Sequence, residues 1–242
     1  SDLGGSLRNP ASFCNVVGFR PSMGRMPFNR GFSWYGRMVT TGPMAKNVRD
    51  TILLFSVMAG PHASDPLTLE DPGTTFLDAL EPMSETEVQQ LRIGVSQDLG
   101  GLPIDAEVGD TVTAAAEVLG RLGAAVDESA PDFTGAMDVF QVQRAAGLRL
   151  LGRRLETIDP DWRDTIKETA RWNIEKGLAL TADELLTAEL KRSALYSRVA
   201  EYFKHYDALV IPSAQVPPFD ANMDWVSEIN GVVMQTYIDW MA

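Results

Sequence analysis

Ser1-Asp2-Leu3-Gly4-Gly5-Ser6-Leu7-Arg8 opens the chain and places two glycines directly before a serine. Glycine lets the backbone turn sharply, so that several N–H groups can point into one small space. Asn9 is a good N-cap and Pro10 suits the first helical position, which predicts a helix just beyond the loop. A hydroxyl held there could attack a carbonyl carbon while the N–H groups stabilise the charge on its oxygen. From spacing alone, an ordinary flexible turn is the commoner interpretation of Gly-Gly-Ser.

The longer run from Asp2 to Pro27 changes that interpretation. It reads DLGGSLRNPASFCNVVGFRPSMGRMP. This run resembles the heart of the amidase signature family of serine amidohydrolases, and it departs from the family at Asn15, where glycine is usual. The resemblance implies an α/β fold with a mixed β-sheet core flanked by helices on both faces. This chain is expected to supply only part of that fold.

The resemblance also implies roles for residues of the opening loop. Ser6 is the expected nucleophile, which forms an acyl-enzyme. The expected oxyanion hole is made of four backbone N–H groups, those of Leu3, Gly4, Gly5 and Ser6. Asp2 and Arg8 bracket the loop, and the resemblance implies that they pair and hold its shape. Two solvated loop charges are the alternative.

The rest of the family's catalytic machinery is not expected in this chain. The family uses a second serine in a cis peptide and a lysine that accepts the proton through it, and both lie upstream of the nucleophile. Because the chain begins only a few residues before Ser6, neither role is assigned. A constrained loop at a free terminus predicts a fragment of a longer protein. The isolated chain is expected to be inactive, because a hydroxyl without its base is a weak nucleophile.

The composition is typical of a globular protein, with 242 residues of which 45% are hydrophobic. We expect one α/β amidase-type domain over 1–242. The formal net charge of −12 disfavours a nucleic-acid partner, because an acidic surface repels phosphates. The sequence contains no apolar run of the ~20 residues that span a bilayer, and its polar glycine-rich start leads us to expect no signal peptide. No membrane partner and a cytoplasmic location are therefore expected.

The cysteine and histidine residues give little indication of a disulfide or a metal site. A single cysteine, Cys14, excludes an internal disulfide and fits a reducing compartment. Cys14 is expected to be a small buried residue on the helix after Ser6. The two histidines, His62 and His205, show no metal-ligand spacing. Neither a metal nor another cofactor is expected.

The first third of the chain is expected to alternate short elements and loops. Val16 to Arg20 is β-branched and bounded by proline, which predicts a short buried strand. The stretch from Pro21 to Gly36 predicts an ordered loop. A helix is predicted to start at Gly42-Pro43 and to end at Gly60-Pro61. Residues 61–90 are rich in Pro, Asp, Ser and Thr, which predicts surface loop.

The later elements predict a parallel sheet and a helical subregion. A strand at 91–96, a helix over 105–122 and a strand at 125–127 indicate a βαβ unit. The segment 134–205 predicts helices, one of which starts at Trp162 and closes at Gly177, and the subregion is hypothesised to cap the active-site cleft. Residues 207–213 predict the clearest buried strand. A further helix is predicted near Gly231.

The function implied by the resemblance is hydrolysis of a carboxylic acid amide to an acid and ammonia or amine. Two alternatives stay open: a glutamine-hydrolysing amidotransferase subunit, and an inactive binding protein that keeps the fold. The substrate is expected to be a small-molecule amide of unspecified kind, and a homodimer is compatible with the family. Arg25, Arg30 and Arg37 are candidates for contact with an acidic substrate, although structural or solvated roles are more typical of loop arginines.

Overall fold

The computed structural model describes residues 1–28 and 38–241. Within these ranges the helices are α1 (Arg8–Phe13), α2 (Val48–Met58), α3 (Glu85–Gln90), α4 (Ala106–Arg121), α5 (Ala136–Ile158), α6 (Trp162–Thr165), α7 (Glu168–Ala179) and α8 (Ala182–Tyr202). The strands are β1 (Val17–Gly18), β2 (Met44–Ala45), β3 (Arg92–Val95), β4 (Ala125–Glu128), β5 (Ala208–Val210), β6 (Glu228–Ile229) and β7 (Val232–Val233). Two 3-10 helices span Gly73–Leu80 and Asp239–Met241. Arg30, Arg37 and residues 29–36 of the predicted loop lie outside the described residues.

The described residues divide into two compact units. The first comprises residues 1–28, 39–131 and 200–241, and it contains the opening loop, α1 to α4 and every named strand. The second comprises residue 38 and residues 132–199, and it contains α5, α6, α7 and most of α8. Helices occupy most of the predicted helical segment 134–205, between Ala136 and Tyr202, and the role of this segment as a cap stays a prediction.

The main sheet of the first unit has the strand order β4-β3-β5, and both strand pairs are parallel. In the central strand, Ile93 lies opposite Val126 of β4 and Ala208 of β5. The helix between β3 and β4 buries Val112 in one apolar cluster with Ile93 and Val95. The predicted βαβ unit is confirmed, because a crossover helix returns the chain to the same end of the sheet and so makes the strands parallel.

The remaining strands form two antiparallel pairs, β1 with β2 and β6 with β7. The fold is therefore α/β with parallel and antiparallel pairing, as expected, although the strands of the described ranges lie in three separate sheets. β5 is shorter than the strand predicted over 207–213, and its side chains are exposed or half-buried. It pairs with β3 alone among the described strands, so one of its edges is not covered by a strand of these ranges.

The helix predicted from Pro43 begins later, at Val48. Met44 and Ala45 form β2 instead, and they pair with β1. Asn47 fixes the helix start, because its Oδ1 accepts a hydrogen bond from the N–H of Asp50 at 2.8 Å. The spacing of apolar residues does not show where α2 starts, since a two-residue strand before it has no periodicity of its own.

The segment 61–90, predicted to be loop, contains the first 3-10 helix and α3. α3 begins with a reciprocal capping box. The N–H of Glu87 donates to Ser84 Oγ at 3.3 Å, and the N–H of Ser84 donates to Glu87 Oε2 at 2.7 Å. The loop prediction was wrong here because the Pro, Ser and acidic residues that are typical of loops also start helices.

In the second unit, α5 and α7 approach closely at two glycines. A Cβ on Gly152 would lie 2.3 Å from Ile174 Cγ2, and one on Gly177 would lie 2.1 Å from the carbonyl oxygen of Ala145. Only glycine fits such an approach. Gly177, which was predicted to close a helix, therefore lies inside α7, and the segment predicted from Trp162 is divided into α6 and α7.

The helix predicted near Gly231 is a hairpin instead, formed by β6 and β7. Its two turn residues, Asn230 and Gly231, have φ values of 50° and 79°. Positive φ at both central residues is typical of a type I′ turn, which Asn-Gly favours strongly. The prediction was wrong because this dipeptide is a stronger local signal than the weak apolar spacing around it.

Replacement of Gly94 is expected to destabilise the main sheet. A Cβ at this position of β3 would lie 1.6 Å from Tyr202 Oη and 2.9 Å from the carbonyl oxygen of Ser129. Tyr202 Oη donates to that carbonyl oxygen at 3.2 Å. Gly94→Ala must displace the tyrosine and break this hydrogen bond, so the free energy of unfolding should fall by about 1–3 kcal/mol.

Thermal unfolding of this variant beside Gly120→Ala checks the prediction. Gly120 lies in α4, and a Cβ there would meet nothing within 4 Å. Alanine is a better helix former than glycine, so the control should gain about 0.5–1 kcal/mol. A Gly94→Ala protein as stable as wild type would contradict the close packing of Tyr202 on the sheet.

Candidate active site

The opening loop is anchored at its start to a residue distant in sequence. The N–H of Asp2 donates to the carbonyl oxygen of Thr40 at 2.7 Å, and the N–H of Thr40 donates to the carbonyl oxygen of Asp2 at 3.0 Å. Asp2 and Thr40 are 3% and 5% exposed. The loop therefore begins at a fixed, buried point.

The Asp2 carboxylate folds the loop around itself. Its Oδ1 accepts a hydrogen bond from the N–H of Gly5 at 3.0 Å, and its Oδ2 accepts one from the N–H of Leu7 at 2.7 Å. Hydrogen bonds to an ionised acceptor are stronger than those between neutral groups. Arg20 Nε lies 3.6 Å from Oδ1 and balances the buried charge. The segment is thus a folded loop and not a flexible turn.

Gly5 has a conformation that only glycine adopts easily. Its φ is +114°, and a Cβ would lie 3.1–3.2 Å from side-chain atoms of Asn9 and Arg8. The expectation that its N–H belongs to the oxyanion hole needs correction, because Asp2 already accepts that hydrogen bond. The part that Gly5 plays in the loop is conformational.

Ser6 follows Gly5 at the surface of the loop, and its side chain is exposed. Within the described ranges its hydroxyl has no protein hydrogen-bond partner. The N–H groups of Leu3, Gly4 and Ser6 likewise donate to no acceptor of these ranges. Three of the four expected oxyanion donors are thus uncommitted and adjoin an exposed hydroxyl. A nucleophile and the donors that stabilise a developing oxyanion need this combination.

Arg8 does not form the predicted ion pair with Asp2. Its Nη1 donates to the carbonyl oxygen of Ser213 at 2.9 Å, and its Nη2 donates to that of Met241 at 3.2 Å. Burial lowers the pKa of the Arg8 guanidinium, the nearby Asp2 charge raises it, and the Arg20 charge lowers it further. Arg8 therefore ties the loop to the chain that follows β5 and to the end of the described residues.

The helix after the loop begins at Arg8, earlier than predicted. Leu7 occupies the N-cap position, and it makes no side-chain capping bond. Asn9, expected as the N-cap, lies inside α1, where its N–H donates to the carbonyl oxygen of Gly5 at 2.8 Å. The N-cap prediction was wrong because the N–H of Ala11, which a cap at Asn9 would accept, already donates to the carbonyl oxygen of Leu7 at 3.2 Å.

The end of α1 explains the one departure from the family pattern. Asn15 has a φ of 51°, a left-handed conformation that glycine adopts freely and asparagine tolerates better than most residues. The usual glycine at this position is thus replaced by a residue that can take the same backbone turn. Cys14 beside it is exposed, which corrects the expectation of a buried thiol.

An aromatic cluster holds the far end of α1. The Phe13 ring packs edge-on against Phe219 at 5.7 Å between centroids and stacks with Trp240 at 6.2 Å. Phe219 and Trp240 are also edge-on, at 5.2 Å. These contacts fix α1 against the chain after β5, as Arg8 does at its other end, so both ends of the short helix are held.

Three further observations on the described ranges concern metal binding, membrane crossing and contact with an acidic substrate. No group of three or more His, Cys, Asp or Glu side chains in these ranges could hold a metal ion. None of their helices combines the length and apolar character that a bilayer span requires. Arg25, a candidate for an acidic substrate, forms an ion pair with Asp71 and lies over the ring of Phe76 at 5.4 Å. Its guanidinium thus has a structural role.

A family model described as Amidase matches residues 1–242. The chain belongs to the amidase family. It is 27% identical over 249 residues to an acylamidase of Rhodococcus erythropolis, a match that covers 100% of this chain and 50% of the relative. It is 30% identical over 218 residues to a glutamyl-tRNA(Gln) amidotransferase subunit of Ectopseudomonas mendocina (strain ymp), a match that covers 89% of this chain and 43% of the relative.

The crystal structure of a bacterial aryl acylamidase of the amidase signature family has the same fold. The TM-score is 0.84 at 24% identity, over 99% of this chain and 51% of that one. The amidase-family chain therefore spans about half the length of the relatives that it matches.

Sequence reasoning missed three residues of this amidase-family site. Thr40 anchors the loop, Arg20 balances Asp2, and the side chain of Asn9 covers Gly5. The first two contacts join segments far apart in sequence, and no local pattern reports them. For Asn9 the sequence did contain a signal, a polar residue at the start of a helix, but this signal predicted an N-cap and not a contact with Gly5.

Proposed function

We propose that the native protein carrying this chain is an amidase in which Ser6 is the nucleophile. The observation that supports this is the exposed Ser6 hydroxyl beside three uncommitted N–H groups, in a loop that a buried carboxylate holds folded. An acyl-transfer site needs a nucleophile and fixed donors within reach of one carbonyl group. The membership of the chain in the amidase family supports the same reaction.

In the proposed reaction, Ser6 Oγ bonds to the carbonyl carbon of the amide while its proton passes to a base. The negative charge on the carbonyl oxygen is stabilised by the N–H groups of Leu3, Gly4 and Ser6, and one such donor is worth about 3 kcal/mol of the barrier. The C–N bond then breaks, and the nitrogen takes a proton and leaves as ammonia or amine. Water cleaves the resulting ester and releases the acid. The family resemblance implies that the base is a lysine acting through a second serine, upstream of this loop.

A panel of amides tests the proposal. We expect the native protein to release amine from anilides or ammonia from a primary, malonamate-like or peptide amide. Anilides are tested first, because similar proteins are named acylamidase and aryl acylamidase. The isolated 242-residue chain is expected to release neither, because the family resemblance implies that the base for Ser6 is a lysine upstream of the opening loop. Ammonia assay and chromatography of the products measure both. Turnover by the isolated chain would contradict the proposal that the base for Ser6 lies upstream of the opening loop.

The similarity to an amidotransferase subunit favours one alternative, in which this protein hydrolyses glutamine within a complex. Purification of the native protein at low salt separates the two proposals, since a member of such a complex should elute with partner chains and prefer glutamine. An inactive binding protein would release no product from any amide of the panel. A homodimer and a cytoplasmic location stay predictions from the sequence.

A further inference from the structure

The side chain of Asn9 is a buried polar group that the proposed reaction does not use. It is 8% exposed, and its Oδ1 is buried without a hydrogen-bond partner among the described residues. An unpaired buried acceptor destabilises a protein by about 1–3 kcal/mol, and most such atoms in native proteins are paired. A leucine of similar size would avoid this penalty. The carboxamide therefore needs a reason other than stability.

Its contacts indicate that reason. A Cβ on Gly5 would lie 3.1 Å from Asn9 Nδ2, 3.2 Å from Asn9 Oδ1 and 3.2 Å from Arg8 Nη2. The carboxamide and the guanidinium thus lie together over the Cα of Gly5. The main chain adds a second contact, because the N–H of Asn9 donates to the carbonyl oxygen of Gly5 at 2.8 Å.

Gly5 is the residue of the loop that most needs such contacts. Glycine has the widest backbone freedom of any residue, and Gly5 directly precedes Ser6. Asp2 holds its N–H at 3.0 Å, and the N–H of Asn9 holds its carbonyl oxygen at 2.8 Å, so packing over the Cα adds a third restraint on its φ to these two hydrogen bonds. Any change in the φ of Gly5 turns both the hydroxyl and the N–H of Ser6.

We propose that Asn9 is a positioning residue for Ser6, an inference that rests on the proposed function. Its carboxamide, packed with Arg8 over Gly5, confines Gly5 to its positive-φ conformation and so sets the direction of the Ser6 hydroxyl. A misplacement of about 1 Å lowers an enzymatic rate by about 100-fold. The chain retains an unpaired acceptor here because the loop geometry depends on it, as sites commonly trade stability for activity.

Asn9→Leu in the native protein tests this proposal. We expect kcat for the amide substrate to fall by about 10- to 100-fold, while KM stays within about twofold, because the leucine changes the direction of the nucleophile and not the binding of substrate. Labelling of Ser6 by a serine-directed phosphonate should slow by a similar factor and still reach completion. The melting temperature should be unchanged or higher, since the unpaired acceptor is gone.

Asn173→Leu is the matched control. Asn173 in α7 is 2% exposed, its Nδ2 donates to the carbonyl oxygen of Thr169 at 2.6 Å, and its Oδ1 accepts from Arg144. Removal of these hydrogen bonds should lower the melting temperature and leave the Ser6 labelling rate unchanged. Opposite effects of the same substitution at two buried asparagines distinguish positioning from packing.

Three results would overturn the proposal. If Asn9→Leu melts at a lower temperature while kcat and the labelling rate are unchanged, Asn9 is structural only. If neither Asn9→Leu nor Asn9→Ala folds, the side chain is required for folding and the positioning role is rejected. If wild-type protein is not labelled at Ser6, the proposed function fails and the role of Asn9 fails with it. The first two results leave the proposed function intact.

Discussion

Ser6→Ala is expected to abolish phosphonate labelling of the native protein and to lower kcat for its amide by about 10⁴-fold or more, as loss of a nucleophilic serine does in other acyl-transfer enzymes. Alanine removes the only atom that bonds to the acyl group and keeps the backbone N–H groups. Substrate binding should therefore persist, with KM within a few-fold of wild type. Gel fluorescence of the labelled protein and initial rates of product release measure the two effects.

Ser12→Ala is the matched control for this experiment. Ser12 is an exposed serine on α1, six residues after Ser6 on the same short segment. Its loss should change neither labelling nor rate, because its side chain is not in the opening loop. Full labelling of the Ser6→Ala protein, or loss of labelling in the Ser12→Ala protein, would refute Ser6 as the nucleophile.

Asp2→Asn is expected to have the second largest effect, because it disrupts the loop without touching the nucleophile. An amide has one acceptor oxygen and one NH₂ group, so it can accept from Gly5 or from Leu7 and not from both. One charge-assisted hydrogen bond is lost, and the NH₂ group of the asparagine then faces a backbone N–H, which is also a donor. We expect a loss of about 2–4 kcal/mol in the free energy of unfolding and a fall of about 100-fold in the rate of Ser6 labelling.

Urea unfolding and labelling kinetics measure these changes, with Asp71→Asn as the control. Asp71 also forms an ion pair with an arginine, Arg25, but its side chain is 54% exposed and lies outside the loop. Exposed pairs contribute about 0–1 kcal/mol, so the control should be nearly as stable as wild type and be labelled at the same rate. Equal effects of the two substitutions would show that Asp2 does not organise the loop.

The parts of the fold that the sequence predicted well have strong local signals. α4 repeats apolar residues at three- and four-residue spacing, and Gly123 after it adopts a φ of +104°, so its end was placed correctly. β3 is predicted by its alternation of apolar and polar residues, and β4 lies at the short strand predicted after that helix. The errors have two different causes, a pairing partner distant in sequence in one case and a local turn signal in the other. β2 is two residues long and exists only because β1 pairs with it, and residues 228–233 form a hairpin because a two-residue turn outweighs a short apolar run.

In the candidate site, likewise, some features could be predicted from the sequence and others could not. The roles of Ser6 and of the glycines follow from residue types and family resemblance. The choice of Arg20 and not Arg8 as the neighbour of Asp2 does not follow from the sequence, because Arg8 is the nearer arginine along the chain. Arg20 lies two residues after the end of β1 and contacts Asp2, whereas Arg8 turns toward the carbonyl oxygens of Ser213 and Met241. Such a choice depends on packing that only three-dimensional structure records.

The two hydrogen bonds of the Asp2 carboxylate have a consequence for the energetics of the proposed reaction. The loop is assembled before any substrate arrives, so its donors need no reorganisation when charge develops on the carbonyl oxygen. Such a preorganised cradle fits a tetrahedral oxyanion better than a planar amide. Transition-state mimics such as boronic acids should therefore bind far more tightly than the parent amides. The backbone of the loop should have the same conformation before and after they bind.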